Sequence, residues 1–265
     1  MAWIRRHLLA FAAFSVLAYM LIPNLIVAIF SFNDPVGRFN YQWNRFSTDA
    51  WTNPCGAQGI CESVGLSLRI GITASLVATV LGSMIAFALG RHRFRGRSGT
   101  NLLIFMPMAT PEVVMGSSLL TLFLMMGIPA GGTAILIAHI MFCVSFVVVA
   151  VKARVATLDP SLEEAAADLG ANALQTFLRV TLPLAAPGIA AGALLAFSLS
   201  FDDYIITNFN ASPSSITFPM YVWGAAQRGA PVQVNVIGTM MFLIALVVVV
   251  IGQVLAVRRE RTRVG

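Results

Sequence analysis

The sequence is short of charge. Asp, Glu, Lys and Arg make up 11% of its residues and hydrophobic types 58%. A water-soluble domain carries about 25% charged residues, so this chain lacks the polar surface to cover itself in water. A mean hydropathy of +0.82 points the same way, to an integral helical membrane protein. Lysine is nearly missing. The only one is Lys152, and no Gly-x-x-x-x-Gly-Lys-Ser/Thr run surrounds it, which excludes a Walker-type phosphate loop. If ATP drives this protein, another chain binds it. The histidines His7, His92 and His139 and the cysteines Cys55, Cys61 and Cys143 show neither a metal-ligand spacing nor a dense disulfide framework. No metal and no cofactor of the chain's own are expected. No nucleophile–base pair or acidic metal motif marks a membrane enzyme either.

What the chain does have is six apolar runs, at about 8–32, 66–89, 102–128, 133–151, 184–207 and 232–257. Each is near the roughly 20 residues that cross a bilayer core. The first is too long for the apolar part of a signal peptide, and it ends in SFNDP rather than a small-residue cleavage site, so it reads as a span. One transmembrane domain over residues 1–265 is expected.

Orientation follows from the arginines. With the N-terminus inside, Arg5, Arg6, Arg91, Arg93, Arg95, Arg97, Lys152, Arg154, Arg179, Arg258, Arg259, Arg261 and Arg263 fall in the cytoplasm. Arg38, Arg45 and Arg228 fall outside, and Arg69 sits near the outer end of the second span. The positive-inside rule therefore predicts both termini cytoplasmic. The net charge of +6 and the basic run RHRFRGR are explained by this topology, so no nucleic-acid partner is expected.

The longest outside loop, 33–63, carries Tyr41, Trp43, Phe46 and Trp51, which suit an aromatic belt at the membrane surface. Cys55 and Cys61 lie close together in it, in a compartment that permits disulfides. Their proximity makes a bridge possible and leaves free thiols equally open. Cys143, inside the fourth span, reads as packing, and His139 there as a helix–helix hydrogen bond rather than a ligand. The sets Gly71, Ala74, Ala78 and Gly188, Gly192, Ala196 allow close helix approach and need a partner face, in the bundle or on another subunit.

Between the fourth and fifth runs lies SLEEAAADLGANALQTFLRVTLP, residues 161–183. Ser161 can cap a helix, with Glu164 as capping-box partner. Ala165, Ala166 and Ala167 favour helix and leave a smooth surface. Gly170 suits the left-handed position that ends a helix. Asn172 can cap a second short helix through Phe177 and Arg179, which Pro183 closes before the next span. The prediction is a helix–turn–helix knuckle on the cytoplasmic face.

The spacing Glu164-Ala165-Ala166, three residues, Gly170, nine residues, Val180, one residue, Leu182-Pro183 resembles the "EAA" loop of ABC importer permeases, with Val180 where that pattern usually has isoleucine. The resemblance implies an all-α integral membrane fold of the type I importer permease class, with six transmembrane helices and a cytoplasmic coupling helix–turn–helix. It implies that Glu163, Glu164, Ala165, Ala166, Asp168 and Gly170 engage a separate ATPase subunit that binds the ATP and magnesium. It also implies a bacterial inner-membrane location and a set of partners: a second permease subunit in a heterodimer, two copies of the ATPase and an external substrate-binding protein.

Three acidic residues fall inside expected spans: Glu112, after Pro111, and the pair Asp202 and Asp203. Counted from Asn101 along a straight helix, Glu112 lies roughly 16 Å deep, near the bilayer midplane. A charge there usually faces a cavity or a partner. Unpaired carboxylates suit a small cationic cargo, with Tyr204, Tyr221 and Trp223 adding cation–π surface. The stretches FSLSFDDYIITNF, IFSFND and TPEVVMG resemble the spermidine/putrescine branch of these permeases, and within it the second permease subunit. Iron, other cations, sugars or oxyanions are the competing cargoes. An ATP-independent carrier would leave the knuckle without a purpose.

Overall fold

The computed structural model describes residues 2–92 and 94–264, and of residues 2–6 and 253–264 the backbone alone. Arg93 lies outside the described residues, as do the side chains of Arg5, Arg6, Arg258, Arg259, Arg261 and Arg263, which carry part of the orientation argument.

A backbone that meets lipid must satisfy its own hydrogen bonds, and the long runs of Leu, Ala, Val and Phe do so as helices. In chain order these are α1 (Ala2–Phe30), α2 (Asp49–Thr52), α3 (Ile60–Arg91), α4 (Arg97–Ala109), α5 (Glu112–Met125), α6 (Gly132–Val155), α7 (Ser161–Asp168), α8 (Ala173–Thr176), α9 (Leu182–Asp202), α10 (Ile205–Asn210), α11 (Phe218–Arg228) and α12 (Val232–Val264). Strand pairing among the described residues is limited to a single bridge between Asn33 and Phe46. Five of the helical stretches are long and apolar enough to span a membrane, and the pair α4–α5 supplies a sixth.

That sixth span departs from expectation. Residues 102–128 do not form one helix: α4 and α5 meet at 108°. The cause is Pro111, which lacks an N–H and forces its predecessor out of helical geometry. Thr110 accordingly adopts φ −82°, ψ 131°. The depth reckoned for Glu112 along a straight helix therefore does not apply. Glu112 instead opens the first turn of α5, where the helix dipole favours a carboxylate.

Two compact units are distinguished. The first comprises Met1–Cys61 and Tyr221–Gly265, with α1 and α12 together and the loop 31–59 folded around a polar centre. The buried Asn33 side chain donates to the Asn40 Oδ1 (2.7 Å) and the Gln42 carbonyl (2.8 Å) and accepts from the Asn44 N–H (2.8 Å). Phe32 stacks on both Phe46 and Trp51, and Trp43 stands edge-on to Phe30. Of the expected belt, Trp51 thus packs within the loop, while Tyr41, Trp43 and Phe46 remain exposed. A disulfide joins Cys55 and Cys61.

The second unit, Glu62–Met220, is built around α6, whose Ile135, Ala138, His139, Cys143, Val147, Val151 and Val155 are all buried. Their spacing of three and four residues makes one broad buried face, onto which the neighbouring helices pack. Close approach onto it is made by small residues. A Cβ added to Gly82 of α3 would lie 2.7 Å from Val147, and one on Gly192 of α9 would lie 3.4 Å from it. Gly188 meets the stem of Arg154 in the same way, and Ala196 is fully buried. The set Gly188, Gly192, Ala196 therefore finds its partner face within the bundle, and so does that of α3, where a Cβ on Gly71 would lie 3.3 Å from Phe197 and Ala74 and Ala78 are fully buried. In lipid, such van der Waals contact replaces the hydrophobic drive that water would supply.

Candidate functional site

The knuckle begins at Pro160, whose φ of −59° suits the start of a helix. Ser161 is consequently the first helical residue and not the cap, and the expected Ser161–Glu164 capping box does not form. The cap comes from Asp159, whose Oδ1 accepts from the Ser161 N–H at 2.9 Å. Donation from the Ser161 backbone, with its hydroxyl, holds the Asp159 carboxyl below the usual range.

The other end of α7 closes as expected. Gly170 has φ +84°, and the chain makes both bonds of a Schellman turn, Gly170 N–H to Ala167 O (2.9 Å) and Ala171 N–H to Ala166 O (3.0 Å). Asn172 caps α8 in a full capping box with Gln175, at 2.9 and 3.1 Å. Pro183 does not close this second helix. Residues Phe177–Thr181 wind as a π-turn that runs straight into α9, and Pro183 sits at its second position. The fifth span thus begins near Ala173 rather than at 184.

Between α7 and this π-turn lies an open apolar groove. Leu162, Ala165, Ala166 and Leu169 line one side, and Arg179, Val180, Pro183 and Leu184 the other. Leu169 is 89% exposed. Of the expected contact residues Ala165 is exposed and Ala166 half-buried in this groove, while Glu164 and Asp168 are exposed on α7 outside its lining. Glu163 points elsewhere. Its Oε1 lies 3.0 Å from Arg91 Nη2 and accepts from the Thr181 hydroxyl at 2.8 Å.

The second site lies where α9 breaks. Asp203 leaves helical geometry (φ −65°, ψ 125°) and folds its carboxylate over the start of α10. It accepts from the Thr207 N–H (2.7 Å), the Thr207 hydroxyl (2.8 Å) and the Ile206 N–H (3.3 Å). His139 of α6 closes the set: Nε2 lies 3.2 Å from the Asp203 carboxylate and 3.0 Å from Thr207 Oγ1, and Nδ1 lies 2.7 Å from Ser200 Oγ. All donors are used if the neutral imidazole carries its proton on Nε2 and Ser200 donates to Nδ1. The Asp203 side chain is 4% exposed, so it is committed inward. Beyond it, α10 is held to α5 through the buried Asn210, whose Nδ2 reaches Gly116 O at 3.4 Å.

Asp202, Asp203 and Tyr204 thus cluster at one break, but with different outlooks: Asp202 is exposed and Tyr204 half-buried. Glu112 is also exposed, and neither it nor Asp202 has an ion-pair partner among the described residues. Tyr221 and Trp223 belong to α11 of the first unit, half-buried and exposed respectively. Sequence reasoning missed Arg91, Ser200, Thr207 and Asp159. Only Asp159 left a signal, as an acidic residue just before Pro160.

Over residues 78–261 the chain matches the family described as "Binding-protein-dependent transport system inner membrane component". It is 35% identical over 249 residues to the spermidine/putrescine transport system permease protein PotC of Escherichia coli (strain K12), covering 94% of this chain and 93% of that one. It is 36% identical over 253 residues to the putrescine transport system permease protein PotI of the same strain, covering 93% and 89%. Among solved structures, a bacterial ABC transporter involved in the import of the acidic polysaccharide alginate aligns over 92% of each chain, with TM-score 0.66 and 19% identity. That last likeness concerns the fold alone.

Proposed function

Because the chain belongs to the family of binding-protein-dependent transport system inner membrane components, we propose that it is one of two permease subunits of an ATP-driven polyamine importer. Its working partners are a second permease subunit, two copies of an ATPase that bind ATP and magnesium, and an external binding protein. Both of its termini lie in the cytoplasm.

The observation that carries the coupling role is the open apolar groove between α7 and the π-turn. An accessible surface of Leu162, Ala165, Ala166 and Leu169 with Arg179 across from it has the make-up of an interface core. Energy released by ATP can move this chain only through an element whose positions the ATPase binds with different strength, and the capped helix α7, outside the spans, is such an element. Arg91, Arg154 and Arg179 at its end of the bundle support a cytoplasmic position for it.

Polyamine cargo is supported by the identity to permeases that bear spermidine and putrescine in their names and by the charge of the exposed intramembrane groups. Asp202 and Glu112 are carboxylates without an ion-pair partner among the described residues. A charge within the bilayer calls for a counter-charge, which an ammonium group supplies in passing. Asp203 is not available for this, since its oxygens are taken by Thr207 and His139. Asp202→Asn should therefore slow putrescine uptake by the reconstituted complex about tenfold, a loss of the order of one charge-assisted hydrogen bond, with ATPase assembly intact. Wild-type uptake by that variant would remove Asp202 from the path. Uptake of a sugar in preference to putrescine would refute the cargo.

A further inference from the structure

Arg91 is the last residue of α3, and its Nη2 meets the Glu163 Oε1 of α7 at 3.0 Å. The same oxygen accepts from the hydroxyl of Thr181, at 2.8 Å, where the π-turn enters α9. Three elements thus meet at one carboxylate oxygen. Thr181 is 5% exposed, and the Arg91 and Glu163 side chains are 21% and 32% exposed, so the node is largely withdrawn from water. Arg91 Nε is buried without a hydrogen-bond partner, which leaves the guanidinium dependent on Glu163.

A second contact lies one turn away on each side. Phe87, four residues before Arg91, stands edge-on to Phe177, four residues before Thr181, with ring centroids 5.2 Å apart and planes at 79°. Residues four apart share a helix face, so the aromatic pair and the polar node form one two-layered latch. It joins α3 to the knuckle. The inner end of α3 is tied down besides: Arg97 Nη2 donates to Leu89 O at 2.7 Å, and Gly90 packs directly on Val155 of α6.

We infer that Arg91, Glu163 and Thr181, backed by Phe87 and Phe177, form the joint through which displacement of α7 moves α3. They are positioning residues, and the inference rests on the permease reading given above. Chain continuity already links α7 to α6 and α9, but nothing covalent near the knuckle links it to α3. Without the latch, a push on α7 reaches α3 only indirectly, through its packing on α6. Glu163 therefore faces the membrane body, and Glu164, about 100° further round α7 and exposed, is left for the ATPase. The geometry favours this division because a carboxylate oxygen with two donors in its own chain has little left to offer a partner, while breaking the pair strands a half-buried charge.

The test uses the whole complex, with ATPase, second permease and binding protein, in proteoliposomes. Putrescine import and ATP hydrolysis are measured together and expressed as molecules moved per ATP. Glu163→Gln and Arg91→Gln should each lower that ratio at least about fivefold while the ATPase still co-purifies and hydrolyses ATP. Thr181→Val, which deletes only the neutral donor, should act in the same direction more weakly, and it keeps the question open to measurement if a charge variant assembles poorly. Exchanging the charges, Arg91→Glu with Glu163→Arg, should recover most of the ratio, which a merely damaged fold would not do. An unchanged ratio in the single variants, or no recovery in the exchange, overturns the joint. A wild-type complex that carries no ATPase or moves no putrescine overturns the permease reading itself, and that result is read before any variant is made.

Discussion

Asp202 and Asp203 are neighbours whose side chains leave a helix about 100° apart, and α9 ends between them. The carboxylate of Asp203 spends itself on two backbone N–H groups, the Thr207 hydroxyl and His139. The two N–H groups are ones that the break would otherwise leave unpaired in an apolar setting, at about 1–3 kcal/mol apiece. Asp202 is exposed and makes no such bonds. The two should therefore fail differently. Asp203→Asn removes an acceptor from a buried set and should lower the melting temperature of the detergent-solubilised protein by several degrees, consistent with a loss of about 1–3 kcal/mol. Asp202→Asn should melt like the wild type and lose uptake. Equal melting of the two variants would show that the His139–Asp203–Thr207 set does not hold α10. The sequence showed both aspartates to be unusual but not which was which, because the division depends on where α9 stops.

Among the elements, the knuckle was read best and the broken spans worst. Gly170 and Asn172 act through bonds to residues within four positions of themselves, so their roles follow from local chemistry. Gly170→Ala forces a side chain into φ +84° and should cost about 1 kcal/mol. Amide exchange across Ser161–Asp168 should then quicken about fivefold, with the transmembrane helices unaffected, and unchanged exchange would show that the turn is not what closes α7. The bend at Pro111 was latent in the sequence, since the residue before proline avoids helix, but a proline inside a span is also tolerated without a break: Pro187 lies within α9 and Pro23 within α1. Pro187 leaves the Pro183 carbonyl without its helical partner and α9 continues all the same.

For the molecule as a whole, the distribution of arginine predicts a definite sidedness. A cysteine introduced at Ser98, in the arginine-rich stretch after α3, should react with a membrane-impermeant maleimide in inside-out vesicles and not in intact cells. Cys55 and Cys61, joined as a disulfide, should label from outside and only after reduction. Labelling of Ser98→Cys from outside would invert the topology. The fold by itself leaves the cargo open, since a protein of like fold takes part in importing an acidic polysaccharide.

The six apolar runs, the capped knuckle and the want of a phosphate loop were all present in the order of residues. They depend on composition over about 20 positions or on bonds to near neighbours. The meeting of Arg91 with Glu163 and Thr181, and of His139 with Ser200, Asp203 and Thr207, was decided only in the tertiary structure. A helix in lipid has no wet face and dry face to betray its azimuth. Which side of α6 receives α3 and α9 is settled by where Gly82, Gly188 and Gly192 let the backbones close, and every long-range polar contact is a consequence of that closure.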